Sequence, residues 1–141
     1  MKTITGNRYL LDTSVLVALI DKSEEAHKLV KKTFEGLSEN IFTTEAVLTE
    51  ALHLLRKEKN AAKLCLDYVI NDLLNLVPLD KADLSRIQTL MKKYADVPMD
   101  FADATLVVLA EELRISTVLT LDRRGFDTYR IFDSRPFTVL P

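Results

Sequence analysis

A single cysteine, Cys65, rules out an internal disulfide, and with it a disulfide-stapled scaffold. It stands in an apolar helical stretch, where a free thiol serves as a small core residue. Glycine is scarce too: Gly6, Gly36 and Gly125 are scattered and form no phosphate-cradling loop. No Gly-x-Ser-x-Gly elbow is present, so serine-type hydrolysis is disfavoured along with cofactors held by Gly-rich loops. Two histidines, His27 and His53, without a cysteine pair are too few for most zinc sites, and both read as helix-surface or helix-edge residues. Basic excess is lacking, since the formal net charge is -2. Any dealings with nucleic acid must therefore rest on a local site. No apolar run approaches a membrane span, and the polar start from Met1 to Arg8 lacks the apolar region of a signal peptide. The expectation is a soluble, cytoplasmic protein with no membrane part.

What is present suits one globular domain over residues 1–141. Hydrophobic residues make up 48% and charged residues 28%, which excludes a disordered chain. Short apolar runs alternate with helical periodicity. Strands are expected at Tyr9-Leu10-Leu11, at Ile41-Phe42-Thr43, over 75–79 and over 117–121, with a fifth at the sheet edge over 129–132. Helices are expected over 15–20, 24–34, 44–57, 61–74, 81–94 and 101–113. In the second of these, Ala26, Leu29, Val30 and Phe34 face one side and Gly36 ends the helix. Asn60 reads as the cap of the helix that follows it, and Asp96-Val97-Pro98 interrupts the pattern. The alternation specifies an α/β fold, a small parallel sheet wrapped by helices.

Four carboxylates occupy telling positions. Asp12 follows the first strand and Asp122 the fourth, and ligands of open parallel sheets bind beyond the carboxyl ends of strands. Each also fits a plain helix cap or turn. Glu50 has Ala46, Val47 and Leu54 among its helical neighbours, so its carboxylate edges into a buried face. A stem that packs while the head reaches water fits equally well. Asp103 heads the apolar run from Ala104 to Ala110, where a carboxylate is costly unless paired, hydrogen-bonded or metal-bound. Its place in a first helical turn is also favoured by the helix dipole. Asp100, three residues earlier, reads either as the N-cap or as an outer member of a site. Were these acids to converge, two carboxylates about 4 Å apart would repel by roughly 4 kcal/mol at an effective dielectric near 20. Such a cluster takes up protons or binds a hard cation, and all-oxygen donors select magnesium or manganese over zinc.

The segments Leu11-Asp12-Thr13-Ser14, Thr49-Glu50-Ala51, Asp103-Ala104-Thr105-Leu106-Val107-Val108-Leu109-Ala110 and Thr120-Leu121-Asp122-Arg123-Arg124-Gly125-Phe126 resemble the four signature segments of PIN domains. They are similar in order and spacing to VapC-type toxins of prokaryotic toxin–antitoxin pairs, over nearly the whole chain from Tyr9. The resemblance implies a three-layer α/β/α sandwich and an acidic pocket that binds Mg2+, with Mn2+ as a substitute. It implies endonucleolytic cleavage of RNA by an activated water. By position, Asp12, Glu50, Asp103 and Asp122 match the acidic set. Asp12, Asp103 and Asp122 are the metal candidates, while Glu50 and Asp122 complete the shell or orient the water. Thr13 and Ser14 match small polar residues beside the first acid, and Asp100 an additional acid of some members. Arg123 and Arg124 stand where a phosphate clamp would sit, though a solvated charge pair is the plainer use of at least one. One departure is that Phe126 comes fourth after Asp122, with Gly125 intervening.

A small antitoxin that obstructs the pocket, and often a homodimer, are further implications. Apolar surface over 61–74 offers an interface or, more simply, core packing. The alternatives are a PIN-fold RNA-binding or regulatory module without catalysis, and a housekeeping RNA-processing nuclease. A haloacid-dehalogenase-type phosphatase would require a second Asp where Ser14 stands. A response-regulator receiver would require an acidic pair at the first strand that is missing here.

Overall fold

In the structure, a computed structural model describing residues 7–37 and 40–141, the first strand β1 (Tyr9–Leu11) runs through the middle of the molecule. The polar start up to Gly6 lies outside the described residues. β2 (Ile41–Thr43) pairs with β1 and with β3 (Asn75–Leu76), on one side. The chain then crosses to the other side of β1 with β4 (Thr117–Leu119), and β7 (Thr138–Leu140) closes that edge. All five strands are parallel, in the order β3-β2-β1-β4-β7. The direction of winding reverses between β1 and β4, and a parallel sheet opens a crevice at such a point. Asp12 and Asp122 lie just beyond those two strand ends.

Among the described residues, seven helices wrap the sheet: α1 (Thr13–Ile20), α2 (His27–Glu35), α3 (Glu45–Leu54), α4 (Ala61–Ile70), α5 (Lys81–Lys93), α6 (Phe101–Leu113) and α7 (Arg123–Thr128). The central helix α6 has the bounds that its apolar run implies, and every residue from Ala104 to Ala110 is buried. A helix apolar all round is stable only inside, and α6 packs against α3, α5 and β1.

Several expectations need correction. The second helix begins at His27, not 24, because Asp21 holds a local turn. Its carboxylate accepts from Ser23 N–H at 2.9 Å and from the Ser23 hydroxyl at 2.6 Å. Leu29 points outward at 55% exposure, whereas Val30 is buried. The α3 helix stops at Leu54 and α4 at Ile70, both short of the expected ends, and β3 and β4 are shorter as well. Asn60 sits at the N-cap position but in a left-handed conformation (φ 60°) without a capping side-chain bond. Over 61–74, Ala61, Cys65 and Leu74 are buried while Leu64, Leu66, Ile70 and Leu73 are exposed, so only one side serves the core. Burial pushes the Cys65 thiol up to about 11, which leaves it unreactive.

The edge strand is also placed differently. β5 (Arg130–Ile131) pairs antiparallel with β6 (Arg135–Pro136) in a separate ribbon, and β7 takes the sheet edge. Among the described residues, no helix is long and apolar enough to cross a membrane.

Candidate functional site

Asp12 takes the N-cap position of α1 but makes no capping bond with its side chain. Its Oδ2 accepts instead from the Thr120 hydroxyl at 2.6 Å and the Ser14 hydroxyl at 3.0 Å. Those two hydroxyls in turn accept from the strand-end backbone beyond β4: Thr120 Oγ1 from Asp122 N–H at 2.9 Å, Ser14 Oγ from Leu121 N–H at 2.9 Å. The ends of β1 and β4 are thereby tied around one carboxylate. Desolvation raises the Asp12 pKa above the ordinary carboxylate range, against the hydroxyl bonds that lower it, and the nearby Asp122 charge raises it further.

Asp103 and Asp100 form a reciprocal box at the head of α6. Asp100 Oδ1 accepts from Asp103 N–H at 2.8 Å, and Asp103 Oδ2 accepts from Asp100 N–H at 3.4 Å. The cap reading of Asp100 therefore holds, and its charge still bears on the site. Asp103 is pushed up to about 7 by desolvation first and by the Asp100 and Asp12 charges next. Glu50, on α3, is raised by burial and then by Asp100, with Asp12 adding a smaller repulsion. The Thr13 hydroxyl is buried without a partner at full hydrogen-bond geometry, yet faces Glu50 closely enough to favour its charged form. The heads of α3 and α6 are linked by the buried Thr44 and Thr105 hydroxyls, 2.8 Å apart.

Asp122 caps α7, accepting from Gly125 N–H at 3.1 Å. The fold thus brings Glu50, Asp103 and Asp122 within electrostatic reach of Asp12, and Asp100 within reach of Glu50 and Asp103. The two arginines divide. Arg123 donates to the Pro141 carbonyl at 2.6 Å, whereas the exposed Arg124 guanidinium has no hydrogen bond or ion pair among the described residues. A groove of about 740 Å³ opens beside the acids, with Glu50 and Asp100 in its wall and His53, Leu79 and Phe101 among its lining.

Two contributors had no assigned role in the sequence. Thr120 was visible only as a strand-end hydroxyl two residues before an acid. Tyr129, 26 residues from Asp103 in sequence, donates to Asp103 Oδ2 at 2.9 Å. No local spacing signals that contact.

The donor set is oxygen only, burial and mutual repulsion hold three of its acids above their ordinary range, and a buried hydroxyl faces it unpartnered. These residues fit a hard divalent cation. Among the described residues, no group of three or more His, Cys, Asp or Glu side chains is arranged to enclose an ion by itself. A hard cation held by one or two carboxylates completes its shell with water.

Because Asp103 titrates near 7 when folded, the native state holds more protons than the unfolded chain between about pH 4 and pH 7. This group therefore favours folding as pH falls through that window and disfavours it as pH rises. Asp103→Asn, measured in chelator, should melt several degrees above the parent at pH 8, and the gain should shrink towards pH 4. A gain that grows as pH falls would contradict the assignment.

A family model described as PIN domain matches residues 9–131. Ribonuclease VapC26 of Mycobacterium tuberculosis is 31% identical over 134 residues, covering 94% of this chain and 99% of that protein. Several solved structures share the fold. VapC20 of Mycobacterium tuberculosis, described as a Sarcin-Ricin loop cleaving toxin, has a TM-score of 0.78 at 17% identity, over 91% of this chain and 99% of that one. A toxin-antitoxin complex from Klebsiella pneumoniae has a TM-score of 0.67 at 16% identity, over 94% of this chain and 96% of that one. With the family model covering residues 9–131 and a relative 31% identical over nearly its full length, this chain belongs to the PIN domain family.

Proposed function

We infer that the chain is a ribonuclease that hydrolyses RNA phosphodiester bonds at the acid cluster, as the toxin of a toxin–antitoxin pair. The observation that carries this reading is the junction of the β1 and β4 ends around Asp12, with Asp103, Glu50 and Asp122 within electrostatic reach. A relative named as a ribonuclease, alike over nearly its full length, supports the activity. An antitoxin that obstructs the acidic pocket is the expected protein partner, a role supported by a solved neighbour that is itself a toxin-antitoxin complex.

Nucleases of this family are generally dependent on a divalent metal. We assign Asp12, Asp103 and Asp122 as the residues that hold Mg2+, or Mn2+ in its place, directly or through water. When bound, the cation supplies positive charge against the phosphodiester and makes water more acidic. Glu50, at the wall of the groove, is placed to orient the attacking water and to take its proton. Thr120 and Ser14 hold the Asp12 carboxylate in one orientation. Arg124 is the guanidinium left to meet an RNA phosphate, and Arg123 is occupied at the Pro141 carbonyl. The groove beside Glu50 takes a nucleotide flanking the scissile bond, and the half-exposed Phe101 ring offers a stacking surface.

The reading is tested by incubating the protein with end-labelled structured RNA in Mg2+, in Mn2+ and in chelator. Discrete fragments that require the cation are expected. Intact RNA under every condition, at enzyme excess, would refute it.

A further inference from the structure

Tyr129 lies just past α7 with its side chain fully buried, and its ring is gripped edge-on by Tyr94 at 5.2 Å and Phe126 at 5.1 Å between centroids. A ring held on two sides cannot swing, so the direction of its hydroxyl is fixed by packing. That hydroxyl donates to Asp103 Oδ2 at 2.9 Å. The same oxygen accepts from Asp100 N–H at 3.4 Å. Both protein donors therefore converge on Oδ2, and among the described residues Asp103 Oδ1 accepts none.

The neighbouring glycine shows how closely this is fitted. A Cβ on Gly125 would lie 3.1 Å from the Tyr129 hydroxyl oxygen and 2.6 Å from Asp122 Oδ2. The first turn of α7 can press against both groups only because no side chain stands at 125. The Gly125 that displaces Phe126 to the fourth place after Asp122 thus leaves room for the tyrosine hydroxyl.

We propose that Tyr129 is a positioning residue of the cation site, pinning Oδ2 of Asp103 so that Oδ1 is the oxygen presented to a divalent metal. The proposal rests on the acid cluster being a cation site, as inferred above. A buried tyrosine hydroxyl needs an acceptor in any case, and a purely structural role would spend the bond on stability alone. Hydrogen bonds that orient a ligand act differently, since their loss weakens metal binding by about 10–100-fold.

The test is calorimetric titration of Mn2+ into the parent, Tyr129→Phe and Tyr94→Phe, without RNA. Tyr94 accepts from Arg130 N–H at 3.0 Å and makes no hydrogen bond to Asp103, so its variant removes a buried hydroxyl bond elsewhere in the same aromatic cluster. We expect Tyr129→Phe to bind Mn2+ about tenfold more weakly and Tyr94→Phe to bind as the parent does. If Tyr129→Phe is too unstable to titrate, the rise in melting temperature from chelator to saturating Mn2+ gives the same answer, and it should be smaller than in the parent. Parent-like Mn2+ affinity in Tyr129→Phe, or equal weakening in both variants, overturns the role of Tyr129 and leaves the nuclease reading standing. A parent that binds no Mn2+ overturns both.

Discussion

Asp12→Asn should lower kcat/KM for RNA cleavage by roughly 10³-fold while leaving the fold intact. The size follows from the several kcal/mol that a correctly held cation contributes against phosphodiester charge, at 1.36 kcal/mol per tenfold. Asp12 is the pivot of the site, because the ends of β1 and β4 meet on its Oδ2 through Thr120 and Ser14. The amide keeps an oxygen for those hydroxyls and exchanges the other, with the charge, for an NH2 group. Burial already disfavours that charge, so the metal-free variant should melt at or above the parent temperature. Steady-state cleavage and a melting curve in chelator check both halves. Activity within tenfold of the parent would remove Asp12 from the mechanism.

Glu111→Ala should be the most damaging single change to stability outside the core, by about 3 kcal/mol, or a fall in Tm on the order of 10 °C. Glu111 stands on α6 with a side chain only 9% exposed. It accepts a two-pronged bond from Arg86, both contacts at 3.0 Å, and one from Phe132 N–H at 2.6 Å. Phe132 and Asp133 adopt φ of 51° and 61°, a left-handed backbone that non-glycine residues resist. Asp133 is held there by Arg86 at 3.2 Å and Lys93 at 3.0 Å. Removing Glu111 leaves a half-buried guanidinium without its main partner and frees a strained turn. Exposed ion pairs are each worth little, and Lys63–Asp67 on α4 is such a pair, so Lys63→Ala should shift the midpoint by no more than about 1 °C. Urea or thermal melts of the two variants decide it. Equal midpoints would contradict this account of the α5–α6 junction.

The sequence and the structure agree most closely where one physical cause dominates. The α6 helix is legible to the residue because an apolar run follows a capping pair, and a cap at Asp100 sets its start at Phe101. The strands β1 and β2 are legible as short apolar runs bounded by polar residues. Less was legible where the partner is remote. β7 joins the sheet through pairing with β4 some twenty residues earlier, and nothing local in Thr138-Val139-Leu140 says which edge it takes. The short α7 has no counterpart among the expected helices, because the six residues Arg123 to Thr128 carry too little periodicity, and its cap by Asp122 doubles as a site residue. At the site, the acids themselves were visible. What holds them was not: Thr120 and Tyr129 reach Asp12 and Asp103 across 108 and 26 residues of sequence.

RNA cleavage is inferred to take place at this acid cluster. The most direct test of that claim is cleavage of one end-labelled structured RNA, in Mg2+ and in Mn2+, by the parent and by an Asp12→Asn/Asp103→Asn double variant shown to be folded by its melting curve. Cation-dependent fragments from the parent and none from the variant are the predicted result. The same fragments from both proteins would contradict the claim and place the cutting elsewhere.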